Sequence, residues 1–394
     1  MSVLSRGGRG DRRFAGLFDP LNIAAFVAFI GLITLSLVGQ GNAQFYGGGE
    51  FYERQTMWVI AGGAVFVVLL FVDVRLVERS SYVYWGLIIV LLALTLVAGT
   101  EANNSRRWLR FGAVNLQASE FAKLAVALAL ARFLHKRKER APGESEPRQT
   151  GTYGVRELFW PLVLIFGPMP FILFQPDLGT SLMLLFIGGT MLAIEGVARR
   201  ALVILMVGTL VAIPIAWKLD LIRFYQKERV LKLIDDGWEK LDPDTGAILT
   251  SALTQSEQAV VAIGNGGLTG QGHRLANPAR MRGLPEIHTD FISAMFGEEY
   301  GFGGFVALLL LFWWLTIWSL RTAMDAKDRF ARLYCVGIAA MLGWQVFVNV
   351  GMVAGMLPVV GLPLPFLSYG GSAMLMNLAA FGLVFSIALR RGRA

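Results

Sequence analysis

The run Gly283-Leu284-Pro285-Glu286-Ile287-His288-Thr289-Asp290-Phe291-Ile292 sets two carboxylates and an imidazole at the mouth of an apolar helix. A carboxylate at a half-dry boundary binds its proton more tightly than in water, which suits a general base. Asp290 has a plainer reading as well: a short acid just before Phe291-Ile292-Ser293-Ala294 is a good N-cap. Glu286 and His288 lie close enough to Asp290 in the chain to share a substrate with it.

Three other groupings carry charge where charge is costly. Glu120 and Lys123 stand three apart in an otherwise apolar stretch, hence on one face of a helix. They read either as a salt bridge that fixes packing or as the lining of an interior cavity. Asp177, in Gln175-Pro176-Asp177-Leu178-Gly179-Thr180, reads as an N-cap or as an acid facing the same cavity. Asn104-Ser105-Arg106-Arg107-Trp108-Leu109-Arg110 gathers three guanidiniums in one connection. It is either an interfacial anchor or a phosphate clamp, because the guanidinium fork matches phosphate oxygens.

The rest of the chain must place these groups. Of its 394 residues, 55% are hydrophobic and only 16% charged, against roughly a quarter charged in soluble domains. That composition makes a polytopic membrane protein, all-α, read as a single domain over 1–394. The net charge of +8 does not indicate nucleic acid, since Lys and Arg cluster beside the apolar runs as membrane topology requires. Cys335 is the single cysteine, so there is no intrachain disulfide, and His135, His273 and His288 show no metal-ligand spacing.

Ten spans are expected, at about 20–39, 56–73, 81–99, 119–135, 158–175, 178–196, 200–217, 291–318, 331–356 and 366–389. The fourth is the weakest, because of Glu120 and Lys123. The eighth is overlong, and Gly301-Phe302-Gly303-Gly304 predicts a short helix that bends there. The positive-inside rule puts both termini in the cytoplasm, with the Arg-rich tail, Arg75, Arg79, the 132–156 loop and Arg390 to Arg393 on that side.

A large extracytoplasmic segment then covers 218–290. Its first part, 222–238, has the pattern of an interfacial amphipathic helix. Later Gly264-Asn265-Gly266-Gly267-Leu268-Thr269-Gly270-Gln271-Gly272 offers backbone N–H groups that an anion can approach. The uncharged, proline-rich loop 358–371 reads as a shaped wall of the outer cavity.

Taken in order, several motifs resemble the SEDS family (shape, elongation, division and sporulation). They are Arg106-Arg107-Trp108-Leu109-Arg110-Phe111-Gly112, Gln117 to Lys123, Gln175 to Thr180, Arg229-Val230, Ala262 to Gly267, Leu284 to Phe291, and Pro363-Leu364-Pro365-Phe366-Leu367-Ser368-Tyr369-Gly370-Gly371. Residues 349–363 look more like the RodA branch than the FtsW branch. Ala118, Ala259, Asn265, Ser293 and the 276–283 stretch depart from the usual family residues.

The resemblance implies a peptidoglycan glycosyltransferase of the bacterial inner membrane that polymerises lipid II for cell elongation. Its implied partners are lipid II, a class B penicillin-binding protein (penicillin-binding protein 2) and other membrane proteins of the elongation complex. Asp290 matches the family's essential aspartate, and Glu120, Lys123 and Asp177 match polar positions lining its central cavity. The reaction displaces undecaprenyl pyrophosphate at C1 with inversion, so one direct displacement suffices. Asp290 is the expected base, with Glu286 and His288 on the substrate beside it. Arg106, Arg107, Arg229, Lys123 or a divalent cation (Mg or Mn) offsets the phosphate charge; no organic cofactor is expected. The competing functions are a lipid II flippase and a non-catalytic scaffold for a transpeptidase.

Overall fold

The computed structural model describes residues 19–102, 105–112, 114–139, 158–196, 255–284 and 286–390. The expected seventh span, the amphipathic stretch 222–238 and Arg229 lie outside the described residues. The helices are α1 (Pro20–Gly47), α2 (Phe51–Phe71), α3 (Val74–Ala98), α4 (Ala118–Glu139), α5 (Phe159–Phe166), α6 (Met169–Phe174), α7 (Leu178–Glu195), α8 (Gln255–Gly266), α9 (Pro278–Gly283), α10 (Ile292–Asp325), α11 (Arg329–Val353) and α12 (Gly371–Leu389). Seven of them (α1, α2, α3, α7, α10, α11 and α12) are long and apolar enough to cross a membrane. Exposed Val27, Ile60, Val83 and Val97 belong on lipid rather than water. The protein is a multi-pass membrane protein.

Aspartates start several helices. Asp19, Asp73, Asp177 and Asp328 each accept a backbone N–H of the first turn of α1, α3, α7 and α11, at 3.0, 2.9, 3.0 and 2.9 Å. The cap position of α10 is Phe291, one residue past Asp290, and the Phe291 side chain makes no cap bond.

α4 owes its weak hydropathy to its position. It packs against α3, α7, α11 and α12 in the middle of the bundle. Ala118, Ala122, Ala125, Ala127, Ala129 and Ala131 are all buried. Small side chains let neighbouring helices approach closely. A helix sealed in protein has no need of a lipid-facing surface, so it can carry Glu120 and Lys123.

Two expectations are corrected. The fold is mainly helical, yet residues 100–116 form a three-stranded antiparallel sheet of β1 (Thr100–Ala102), β2 (Ser105–Phe111) and β3 (Val114–Leu116), in order β1-β2-β3. The Arg-rich connection is therefore a strand with paired backbone, Arg110 opposite Asn115. The stretch 158–175 is broken into α5 and α6 at Gly167-Pro168, because proline has no N–H to give the preceding turn.

The bend in α10 falls at the expected glycine. Gly301 has φ 66° and ψ −169°, which frees backbone groups on both sides of the break. The 267–272 loop takes them up. Gln271 and Gly272 donate N–H groups to the Glu298 and Glu299 carbonyls, each at 2.9 Å. Phe302 and Gly303 donate to the Gly267 and Leu268 carbonyls at 2.8 and 3.0 Å. This overturns the anion-binding reading of the glycine run at Gln271 and Gly272, whose N–H groups are consumed by α10. A Cβ on Gly301 would sit on the Gly270 nitrogen, and one on Gly270 on the Glu299 carbonyl. Gly301→Ala and Gly270→Ala should each cost about 2 kcal/mol or more through strain and lost bonds. The check is the thermal unfolding midpoint of the purified protein in detergent, and an unchanged midpoint would refute the interlock.

Candidate functional site

One end of the bundle collects irregular backbone: the 284–291 connection, the 354–370 loop and the 175–177 turn. Backbone at membrane depth must have its polar groups satisfied by protein. Three buried side-chain amides do much of this. Gln40 of α1 donates through Nε2 to the Leu367 carbonyl at 2.9 Å and the His288 carbonyl at 3.2 Å. Gln55 of α2 donates to Ser36 Oγ and the Ser368 carbonyl, at 3.1 and 3.2 Å, and accepts the Gly370 N–H at 3.3 Å. Asn349 of α11 donates to the carbonyls of Asp290 and Leu362, at 3.0 and 2.8 Å, and accepts from Ser293 Oγ at 3.0 Å.

The two connections are also tied to each other. Ser368 donates its hydroxyl to the Thr289 carbonyl at 2.6 Å and accepts the Leu364 N–H at 2.7 Å. The Tyr369 N–H donates to the His288 carbonyl at 2.8 Å. Each connection holds one non-glycine residue in left-handed conformation: Glu286 (φ 53°) and Phe366 (φ 65°). Such strain persists only where surroundings over-determine the backbone, and it concentrates at functional sites.

Asp290 sits at this junction, half-buried. Its main-chain carbonyl is fixed by Asn349, and its carboxylate lies against Gly361: a Cβ there would come within 3.3 Å of Oδ2. Gly361 has φ 70°, so glycine supplies both the backbone geometry and the space beside the acid. Nearby, the His288 ring stacks on Phe51, centroids 4.1 Å apart at 13°, with Tyr369 at 5.6 Å. Burial lowers the His288 pKa below its usual value, and Glu286, 3.8 Å away, only partly opposes this. The ring is therefore neutral at pH 7.

A second polar group lies on the other side of the 354–370 loop. Asp177 accepts from Ser119 Oγ at 2.9 Å and the Thr180 N–H at 3.0 Å, so it caps α7 while facing α4. Glu120 and Lys123 form a buried ion pair at 2.8 Å. The loop joins the groups physically. Leu362 and the Val360 carbonyl press on Gly179, two residues past Asp177, while Gly361 between them faces Asp290.

The arginines divide. Arg107 donates to the Gln175 carbonyl through Nε and to the Pro176 carbonyl through Nη2, both at 2.8 Å, and so braces the turn that carries Asp177. Arg106 is exposed on the same strand. No group of three or more His, Cys, Asp or Glu side chains among the described residues converges to hold a metal ion. The structure thus brings Glu286 and His288 together, with Asp290 in the same connection but turned to Gly361. It pairs Glu120 with Lys123, and sets Asp177 on Ser119 at the start of the same helix, with Arg107 bracing the Asp177 turn. Gln40, Gln55 and Asn349 were missed as site residues. Their signal in the sequence is an amide inside an apolar run, which is costly in lipid unless it has partners.

With this geometry in hand, the likeness to known proteins has a physical meaning. The cell cycle protein family of FtsW, RodA and SpoVE matches residues 19–392. The peptidoglycan glycosyltransferase MrdB of Escherichia coli K12 is 35% identical over 377 residues, which cover 95% of this chain and 94% of the relative. A probable peptidoglycan glycosyltransferase FtsW of Geobacter metallireducens is 36% identical over 352 residues, 88% of this chain and 87% of the relative. Among solved structures, the rod shape determining protein RodA of Thermus thermophilus superposes with a TM-score of 0.66 at 27% identity, covering 94% of this chain and 97% of that one. A chain from a structure on coordination of polymerization and crosslinking by a peptidoglycan synthase complex superposes with a TM-score of 0.74 at 29% identity, covering 94% and 98%. A match across nearly the whole chain, with Asp290 latched between two connections that the family motifs span, has one conclusion: the chain belongs to the FtsW/RodA/SpoVE family.

Proposed function

We propose that this protein is a peptidoglycan glycosyltransferase that polymerises lipid II and releases undecaprenyl pyrophosphate, with Asp290 as its general base. Polymerase activity is what the names of its relatives carry. The observation that supports the assignment of Asp290 is its setting. A half-buried carboxylate rests against Gly361, at the seam of two braced connections, two residues past an imidazole stacked on Phe51.

The chemistry asks for little else. The 4-hydroxyl of one glycan attacks C1 of the next, its proton passes to the Asp290 carboxylate, and the C1–O bond to pyrophosphate breaks. Inversion follows from direct displacement. His288 and Glu286 flank the entering sugar. Arg106 and Arg229 are the cations we assign to the pyrophosphate. Arg107 and the Glu120–Lys123 pair shape the cavity from the other side, Arg107 through the carbonyls it braces. A divalent cation enters the proposal only as a counter-ion arriving on the pyrophosphate; no step passes through it.

We further propose ten spans in a single domain of the inner membrane, both termini cytoplasmic, with the Asp290 end outside and the 218–290 segment above it. The partner is a transpeptidase, a class B penicillin-binding protein, in keeping with the synthase complex that one structural relative comes from. A flippase or a scaffold would need no base at this rim.

Detergent-purified Asp290→Asn protein should polymerise lipid II at least about 100-fold more slowly than the parent, the lower end of what a general base contributes. Polymer formed at the parental rate would sink the assignment, and no polymer from the parent, with no membrane to cross, would favour the flippase. Asn349→Ala should cut the rate about tenfold or more while Asp290 stays in place, because the Asp290 and Leu362 carbonyls lose their donor. Single-turnover rates beside the thermal midpoint separate this from global unfolding. Lys123→Met leaves a buried carboxylate and should cost about 3 kcal/mol, most of it restored by adding Glu120→Leu. If the double variant regains both stability and full polymerase activity, the pair only packs.

A further inference from the structure

The 267–284 segment also meets α1 on the side away from Asp290. Thr34, Leu37, Val38, Gly41, Asn42 and Phe45 recur three and four apart and form one stripe of that helix. Ser36 and Gln40, which bond the carbonyls at 288 and 367, project from the other side. With His273 and Arg274, the stripe lines an open cavity of about 650 Å³. Its apolar part, Leu37, Val38 and Phe45, lies within a membrane-crossing helix, and its cation stands near the end of that helix.

Arg274 is built into place. It has φ 58°, a left-handed conformation that a non-glycine residue adopts only under constraint. Asn42 Oδ1 accepts from its Nε at 3.1 Å, and the guanidinium lies over the Phe45 ring at 5.3 Å. Its Nη2 comes within 3.4 Å of where a Cβ on Gly41 would stand, so the glycine keeps the approach open. Glu299 is buried and does not line the cavity. It accepts the Arg274 backbone N–H and the Tyr46 hydroxyl, each at 3.0 Å, together with the Asn42 amide.

We propose that this groove binds a phosphate-bearing membrane lipid, with the phosphoryl head on Arg274 and the tail along Leu37, Val38 and Phe45. A guanidinium presents paired donors to phosphate oxygens, and a basic pocket beside a span is the form that headgroup recognition takes in membranes. A free anion would gain nothing from the apolar stripe, and an uncharged lipid nothing from the oriented cation. The groove is separated from Asp290 by α1 itself, so the proposal does not depend on the glycosyltransferase reading.

Native mass spectrometry of the full chain in detergent, titrated with phosphatidylglycerol, tests it. Arg274→Asn removes the cation while tolerating left-handed backbone. Gly41→Leu fills the groove and crowds the guanidinium out of its seat without removing the charge. Each should weaken the lipid adduct about tenfold, the factor expected for losing one charge-assisted hydrogen bond or the seat of the tail. Arg274→Lys, which keeps the charge but not the planar fork, should retain more of the adduct than Arg274→Asn and less than the parent, and diacylglycerol, with the same tails and no phosphate, should give none. Undiminished phosphatidylglycerol binding to Arg274→Asn at an unchanged thermal midpoint would overturn the proposal. So would equal binding of diacylglycerol, and displacement of the lipid by an equal concentration of inorganic phosphate would assign a free-anion site instead.

Discussion

The structure around the candidate base depends on one constraint: irregular backbone inside a membrane protein has no water to satisfy it. Two connections, 284–291 and 354–370, therefore find donors and acceptors in each other, within themselves and in neighbouring helices. Gln40, Gln55 and Asn349 supply them from α1, α2 and α11. Amides suit the task for a physical reason. Each gives two donors and one acceptor without the desolvation cost of an ion, so it can be buried close to a carboxylate without shifting that acid's charge. A lysine in place of Gln40 or Asn349 would bind the same carbonyls, and would also hold Asp290 permanently ionised and weakly basic.

The same logic explains how charge is distributed. Glu120 and Lys123 are carried by α4, the helix with protein on nearly every side, and they neutralise each other at 2.8 Å. Among the described residues Asp177 is held by no cation but by the Ser119 hydroxyl and the Thr180 backbone N–H. Asp290 lies across residues 360–362 from that group. One short segment thus separates two acidic environments, and the missing side chain of Gly361 leaves room for the Asp290 carboxylate. Movement of the 354–370 loop would reach both at once.

Much of this was legible in the sequence, and what was not has identifiable causes. The long apolar runs, the bend at Gly301 and the pairing of Glu120 with Lys123 follow from composition and helical spacing. The sheet at 100–116 was missed because three strands of three to seven residues leave too short an alternation to stand out beside helices. The Gly264 to Gly272 run looked like an anion cradle because its local pattern is the same. Only the tertiary placement of the Gly301 break shows that α10 takes the Gln271 and Gly272 N–H groups. The amides escaped notice because a lone Gln or Asn in an apolar helix carries no spacing signal; its meaning lies in a loop some 250 to 330 residues away, as for Gln40 with His288 and Leu367. The expectation at Arg229 lies outside the described residues.

The single carboxylate is itself informative. Enzymes that cleave glycosidic bonds pair two carboxyl groups, because an alkoxide leaving group needs a proton. A pyrophosphate leaves as a stable anion and needs cations instead. A site for its displacement therefore requires one base and no acid. At the Asp290 seam the neighbouring groups fit that asymmetry: His288 is neutral and stacked on Phe51, and Glu286 is exposed and turned toward His288. Neither is placed as a buried, protonated acid would be. If Asp290 is the base we propose, the chemistry of the leaving group, rather than any resemblance, is what makes one half-buried aspartate sufficient.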